Sequence, residues 1–181
     1  MKATGIVRRI DDLGRIVIPK EIRRSFRIKE GDPLEIYTDA EGEVIFKKYS
    51  PVGELTQFSM QYAEALNRVS GYPAAVTDKD TVVAVSGVPK KELMEKTISK
   101  ELEDILEDRM TFAYMDEDNN PLYLLENSEK YFCNIVCPII ADGDAIGAII
   151  LFSVEQPTQL GEIEEKVTQT SASVLGKVLE Q

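Results

Sequence analysis

The sequence has no histidine, and only two of its 181 residues, Cys133 and Cys137, are cysteines. Without an imidazole, acid–base catalysis by histidine is excluded. Two cysteines are too few for a disulfide framework, and without histidine beside them they offer a zinc ion almost nothing soft to bind. We therefore predict no enzymatic activity, no metal and no cofactor.

Long apolar runs are also missing. No stretch reaches the roughly 18 apolar residues that a membrane span needs, and the charged N-terminal segment lacks the apolar core of a signal peptide. A hydrophobic content of 43% beside 29% charged residues is typical of a globular protein. We therefore expect a cytoplasmic protein with no membrane partner.

Charge of the two signs is distributed very unevenly. The net charge is −11, which by itself argues against a polyanionic partner. Residues 1–29, however, hold nine Lys or Arg against three acids, whereas the rest of the chain holds 12 cations against 29 acids. This asymmetry predicts one basic pole that binds a polyanion such as nucleic acid, within an otherwise acidic protein.

The first fifty residues show the pattern of two hairpins around a short helix. Pro19 has the backbone angle that favours the start of a helix. So short a segment, without disulfide or metal, cannot bury enough apolar area alone, so we expect it to complete its core with a second copy. The predicted elements are strands Met1–Ile10, Arg15–Ile18, Leu34–Thr38 and Glu43–Tyr49, with a helix over Lys20–Arg27.

The remaining residues predict a larger domain, 56–181, after a linker at 51–55. Two near-continuous apolar segments flank the turn at Asp142–Asp144, which indicates adjacent antiparallel strands buried on both faces. Amphipathic helices at both ends, the first with a stripe that includes Leu55 and Val69, are expected to pair with other copies. The predicted elements are helices Glu54–Ser70, Pro89–Arg109 (one or two) and Gln159–Glu180, with strands Tyr72–Asp78, Thr81–Ser86, Thr111–Met115, Tyr131–Ile140 and Ala145–Val154.

The N-terminal pattern is also that of a known family. The run from Thr4 to Arg24, TGIVRRIDDLGRIVIPKEIRR, followed by Gly31–Ile36, GDPLEI, resembles the AbrB-type swapped-hairpin DNA-binding family over nearly all of residues 3–49. The resemblance implies an intertwined β-barrel in which two chains exchange hairpins, and residues 1–50 as the DNA-binding domain. It also implies double-stranded DNA in promoter regions as the partner.

The resemblance further implies which side chains reach DNA. Arg8, Arg15, Arg23 and Arg24 match the arginines that the family uses, with Arg9 and Lys2 as neighbours. A guanidinium binds phosphate or guanine through two N–H groups at once, which a lysine cannot reproduce. The alternative is a solvated basic face, or pairing with Asp11, Asp12 and Glu21 inside the chain. Arg27 and Lys29 fit either interpretation, contact with DNA or a place on a solvated basic face.

The second half resembles a GAF domain, on the run from Cys137 to Gly143, CPIIADG, and on Ile146–Leu151, IGAIIL. This implies an α+β protein whose C-terminal α/β domain has an antiparallel sheet flanked by helices. Over its whole length the chain resembles a regulator of gene expression in the developing spore, which implies activation and repression of sporulation genes. The apolar stripes of the C-terminal helices also lead us to expect a tetramer built through these helices.

Several alternatives stay open. The N-terminal fold also occurs in antitoxin-type modules that bind a protein, and the GAF-like part is either a sensor of an unidentified small molecule or a structural coupler. A thiol nucleophile would lack a neighbouring base. Cys133 and Cys137 are expected on one face of a strand, about 13 Å apart, as buried apolar side chains. The acidic stretch 116–120 is expected to be a plain loop, because Pro121 and Asn127 replace residues that a calcium loop needs.

Overall fold

The computed structural model describes residues 5–54, 56–116 and 120–180, so Lys2, Leu55 and the middle of the acidic stretch lie outside the described residues. The chain divides into a first unit, Met1–Tyr49, and a second unit, Ser50–Gln181. Within the described residues, no helix combines the length and the apolar character that crossing a membrane requires.

The first unit contains one short helix and one hairpin. Helix α1 (Lys20–Ser25) begins after Pro19 and is capped by Phe26, which is followed by Arg27 with a positive φ of 50°. Strands β1 (Leu34–Thr38) and β2 (Val44–Lys48) pair antiparallel, with Leu34 opposite Lys48 and Thr38 opposite Val44. The predicted helix and second hairpin are confirmed.

The predicted first hairpin is reduced to its turn. The backbone N–H of Asp11 donates to the carbonyl of Arg15 at 3.0 Å, but residues 5–10 and 15–18 form no strand in the single chain. The prediction of strands there is wrong for one chain taken alone. The physical reason is the lack of a partner to bury the apolar side chains, since Val7 is 88% exposed and Val17 is 71% exposed.

The second unit is a six-stranded antiparallel sheet with helices on both faces. The order along the sheet is β4-β3-β8-β7-β5, and β6 also pairs with β7. The strands are β3 (Ala74–Thr77), β4 (Val82–Ser86), β5 (Phe112–Ala113), β6 (Leu122–Leu125), β7 (Ser128–Ala141) and β8 (Asp144–Val154), and the helices are α2 (Pro51–Glu54), α3 (Thr56–Ser70), α4 (Lys90–Leu93), α5 (Lys100–Glu107) and α6 (Glu162–Leu179).

The two central strands contribute to a core on each side of the sheet. On one side, Ile149 and Leu151 of β8 pack with residues of α3 and α6. On the other side, Ile150 and Phe152 pack with residues of α4 and α5. The prediction that these strands are antiparallel neighbours buried on both faces is confirmed. Strand β6 was not predicted, because its four residues follow directly on the acidic loop.

Helix α6 lies against the sheet at a glycine. A Cβ atom added to Gly176 would stand 2.1 Å from the carbonyl oxygen of Ile140 in β7. A side chain at this position would therefore force the helix away from the strand.

A bulge in β7 changes the prediction for the two cysteines. The pairing of β7 with β8 shifts register between Cys133 and Ile135, so that Asn134 is an extra residue. Cys133 consequently packs in the core beneath α4 and α5, and Cys137 in the core beneath α3 and α6. The expectation that they share a face is wrong, whereas their burial as apolar side chains is confirmed.

Two other features of the second unit differ from expectation. Residues Pro51–Glu54, predicted to be a linker, form α2, and Val52 is completely buried. Helix α3 turns its small residues Ser59 and Ala63 toward the core together with Leu66, while Val69 is 72% exposed. The apolar stripe predicted for this helix is therefore only partly buried, because the small side chains allow it to approach the sheet closely.

Candidate nucleic-acid interface

The turn at residues 11–15 presents Arg15. Asp11 holds this turn, since its Oδ1 accepts the backbone N–H groups of Leu13 at 3.0 Å and of Arg15 at 2.8 Å. The Arg15 guanidinium donates from Nε to Asp11 Oδ2 at 2.8 Å, while 67% of the Arg15 side chain remains exposed. Both Nη groups of Arg15 point to no acid in the described part of the chain, so they stay available to a second anion.

The electrostatics of this turn favour the charged form of Asp11. The backbone N–H of Arg15 and then its guanidinium lower the pKa of the Asp11 carboxyl below the ordinary value. Asp11 is therefore ionised at neutral pH. Pairing inside the chain, which the sequence left open, is realised for Arg15 and Asp11.

The short helix α1 carries the next pair of candidate residues. Arg23 and Arg24 are exposed, and within the described residues neither side chain has a hydrogen bond or an ion pair. Glu21, the acid nearest to them in sequence, leaves both guanidinium groups unpaired. The helix therefore presents two unneutralised guanidinium groups to solvent.

Arg8 and Arg9 lie in the segment that precedes the turn, and both are exposed. Across residues 5–49, neither has a side-chain partner. Of the five predicted site residues, the structure thus places two on this segment, one on the turn and two on α1, all in the first unit. Lys2 lies outside the described residues.

The first unit has no core of its own. None of residues 5–49 is buried, even though the unit holds many apolar side chains. Single exposed apolar residues are normal, but a unit in which none of them is buried is not stable alone in water. The most exposed of these side chains are Val7, Ile10, Leu13, Val17, Phe26 and Ile36.

The second unit also leaves apolar side chains uncovered, on α6. Ile163 is 76% exposed, and Val174 and Val178 are exposed as well. Val174 and Val178 are four residues apart and therefore share one face of the helix. This face, Ile163, Val174 and Val178, is called the α6 face below.

Three comparisons with known proteins agree on the two halves of the chain. The profile of the family described as stage V sporulation protein T C-terminal, transcription factor, matches residues 54–180. Residues 7–53 match the profile described as antidote-toxin recognition MazE, bacterial antitoxin. The GAF domain of PixJ from Thermosynechococcus elongatus, in its blue-light absorbing form, has a TM-score of 0.56 at 22% identity, over 74% of this chain and 89% of that one. The GAF-like fold of the second unit is thereby confirmed.

Two curated relatives come from Bacillus subtilis (strain 168). The transition state regulatory protein AbrB is 61% identical over 51 residues, which are 28% of this chain and 52% of AbrB. Stage V sporulation protein T is 48% identical over 182 residues, which cover both chains completely. With the relative matched along its entire length and the family profile matched over most of the second unit, the chain belongs to the stage V sporulation protein T family of transcription factors.

Proposed function

We propose that this transcription regulator binds double-stranded DNA in promoter regions through a paired basic face made of Arg8, Arg9, Arg15, Arg23 and Arg24. The observation that carries the proposal is the set of exposed guanidinium groups on a unit that is 61% identical to AbrB. The remainder of the chain is strongly acidic, so it repels DNA and confines binding to the first unit.

The chemistry of the five arginines fits such a partner. Each guanidinium offers N–H groups in a fork that matches phosphate oxygens or the O6 and N7 atoms of guanine. Contacts to phosphate give affinity without sequence preference. Specificity then comes from base contacts and from the shape and flexibility of the DNA.

Dimerisation of the first unit follows from its lack of a core. A second copy that contributes the missing strands would cover the apolar side chains of residues 6–17 and close a barrel, as the swapped-hairpin resemblance implies. The dimer would double the number of arginines that face DNA. We therefore assign residues 1–50 to DNA binding and dimerisation.

The GAF-like domain, assigned to residues 56–181, is proposed to assemble dimers into a tetramer and to sense a small ligand. The α6 face supports the assembly role, because its three apolar side chains lack cover in the single chain. Residues 51–55 are assigned as the linker between the DNA-binding domain and the GAF-like domain. Helix α2, at the start of this linker, packs on the second unit through Val52.

Catalysis by the thiols is disfavoured by their surroundings. Burial raises the pKa of Cys137 to about 12, and burial also raises the pKa of Cys133 well above its ordinary value. Neither thiol forms the nucleophilic thiolate at neutral pH. We infer a non-enzymatic regulator that acts in the cytoplasm.

A second candidate function rests on the MazE match of residues 7–53. In that case the first unit would serve as the antitoxin-type fold, and the part of the chain that follows it would bind a protein partner. The second unit argues against this alternative, because it is a complete GAF-like domain rather than a short capture segment.

The deciding experiment is fluorescence anisotropy of a labelled promoter duplex with the intact protein and with the double variant Arg23→Gln, Arg24→Gln. We expect the double variant to bind at least about tenfold more weakly, since each lost contact is worth about 1 kcal/mol or more. The matched control is Arg109→Gln, which removes an exposed arginine of the second unit that pairs with Asp144. Equal binding by all three proteins would refute the proposed interface.

A further inference from the structure

An open cleft of about 520 Å³ lies in the second unit, between the α4 region and the turn that joins β6 to β7. Its volume falls within the range of small-molecule sites. The cleft is closed on one side by backbone pairing, where the N–H of Glu126 donates to the carbonyl of Thr97 at 3.2 Å.

A side-chain bridge spans another part of the cleft. Lys130 donates from Nζ to Glu92 Oε2 at 2.8 Å, and the Tyr131 hydroxyl donates to the same oxygen. Because these hydrogen bonds lower the pKa of Glu92, its carboxylate is ionised at neutral pH, with Oε2 bound to both partners. The bridge connects α4 to β7, and in it the charges of Lys130 and Glu92 neutralise each other.

The charges that remain in the cleft are predominantly positive. Lys91 and Lys96 line it, and neither ammonium group has a partner in the described residues. Glu95 is the single uncommitted acid among the lining residues. This excess of positive charge contrasts with the rest of the chain, in which 29 acids face 12 cations from residue 30 onward.

The remaining lining adds a polar group. Leu125 and Tyr131 also line the cleft but are almost completely buried, whereas Asn127 adds an amide that no described residue engages. The backbone of Glu95 has a φ of 61°, a conformation that side-chain-bearing residues rarely adopt. This conformation sets the path of the segment that carries Lys96.

We propose that this cleft binds a small organic anion, whose carboxylate or phosphate is held by Lys91 and Lys96. Two ammonium groups without partners in a concave site match such a ligand in charge. The inference rests on the proposed sensing role of the second unit and names the chemistry that it would sense.

The experiment is equilibrium dialysis of the full-length protein against two radiolabelled probes, citrate and glycerol 3-phosphate, at constant ionic strength. We expect saturable binding of at least one probe, with one molecule per chain. The choice between the probes distinguishes a carboxylate ligand from a phosphate ligand. The variant Lys96→Gln should bind the preferred probe about tenfold more weakly, since a hydrogen bond to a charged group is worth roughly one such factor or more.

The matched control is Lys100→Gln, because Lys100 is an exposed lysine of the same unit that lies outside the cleft and pairs with Asp104. Absence of saturable binding of both probes, or equal binding by Lys96→Gln and the unmodified protein, would overturn the proposal. Promoter binding is measured on the same preparations. Intact DNA binding without probe binding refutes the cleft alone, whereas loss of DNA binding in the unmodified protein refutes the proposed function.

Discussion

The carboxylate of Asp11 binds Arg15 twice, because it accepts both the backbone N–H of Arg15 and its side-chain Nε, each at 2.8 Å. One carboxylate therefore shapes the turn and orients the guanidinium that the turn presents. The pair leaves Arg15 able to serve in the proposed DNA-binding face, since a guanidinium has five N–H donors and this bond uses one.

The variant Asp11→Ala tests whether this orientation serves DNA binding. Loss of the acceptor should loosen the turn and weaken DNA affinity by about three- to tenfold, in line with one or two hydrogen bonds. Asp11→Asn is the matched control, because its amide oxygen can still accept the backbone N–H groups. Tighter DNA binding by Asp11→Ala would instead show that Asp11 only neutralises Arg15.

The pH dependence follows from the absence of histidine. The folded-state pKa of Asp11 is lowered. Its contribution to the stability of the fold is therefore present above the ordinary carboxyl pKa and is lost only as the pH falls through the lowered value. Cys137, with its pKa raised to about 12, stays protonated. DNA affinity should therefore change by less than about threefold between pH 6 and 7, measured at constant ionic strength. A steep change in this range would require a titrating group outside this account.

Gly176 tests the packing of α6 on the sheet. Because an added Cβ would lie 2.1 Å from the Ile140 carbonyl oxygen, Gly176→Ala should destabilise the second unit by about 1–3 kcal/mol. This corresponds to a fall in melting temperature of roughly 3–10 °C in calorimetry. Ser173→Ala, at an exposed position of the same helix, should leave the melting temperature nearly unchanged. An unchanged melting temperature in Gly176→Ala would contradict the close approach.

The α6 face tests the proposed tetramer. The double variant Val174→Glu, Val178→Glu places two charges where apolar side chains are expected to meet another copy, and it should reduce the mass measured by light scattering to that of a dimer. Gln169→Glu introduces the same charge elsewhere on α6 and should keep the larger mass. If the double variant assembles like the unmodified protein, another surface joins the dimers.

Much of the fold could be predicted from local patterns. The apolar runs on either side of Asp142–Asp144 predicted β7 and β8, and Pro19 predicted the start of α1, because periodicity and turn residues act over short distances. The bulge at Asn134 was not predictable in the same way. It depends on the register between two strands, and one extra residue moved Cys133 and Cys137 to opposite faces.

The residues of the proposed DNA-binding face were predicted from the sequence, whereas their contacts within the chain were not. The arginines were identified from charge and from family resemblance. The sequence left Asp11, Asp12 and Glu21 open as partners of the arginines. The pairing of Arg15 with Asp11 could not be predicted, since a turn must form before the two side chains can meet. The cleft was not predicted, because Lys91 and Lys130 are far apart in sequence and only the folded sheet brings their segments together.

DNA affinity across a salt series tests the central claim most directly. If Arg8, Arg15, Arg23 and Arg24 of both copies in a dimer neutralise phosphates, the logarithm of the association constant should fall with the logarithm of salt concentration at a slope of roughly −7. Replacing Arg23 with Gln should reduce the slope by about 2, because the dimer loses two contacts. A flat salt dependence, or a slope that is identical in Arg23→Gln, would contradict the assignment of the basic face to DNA.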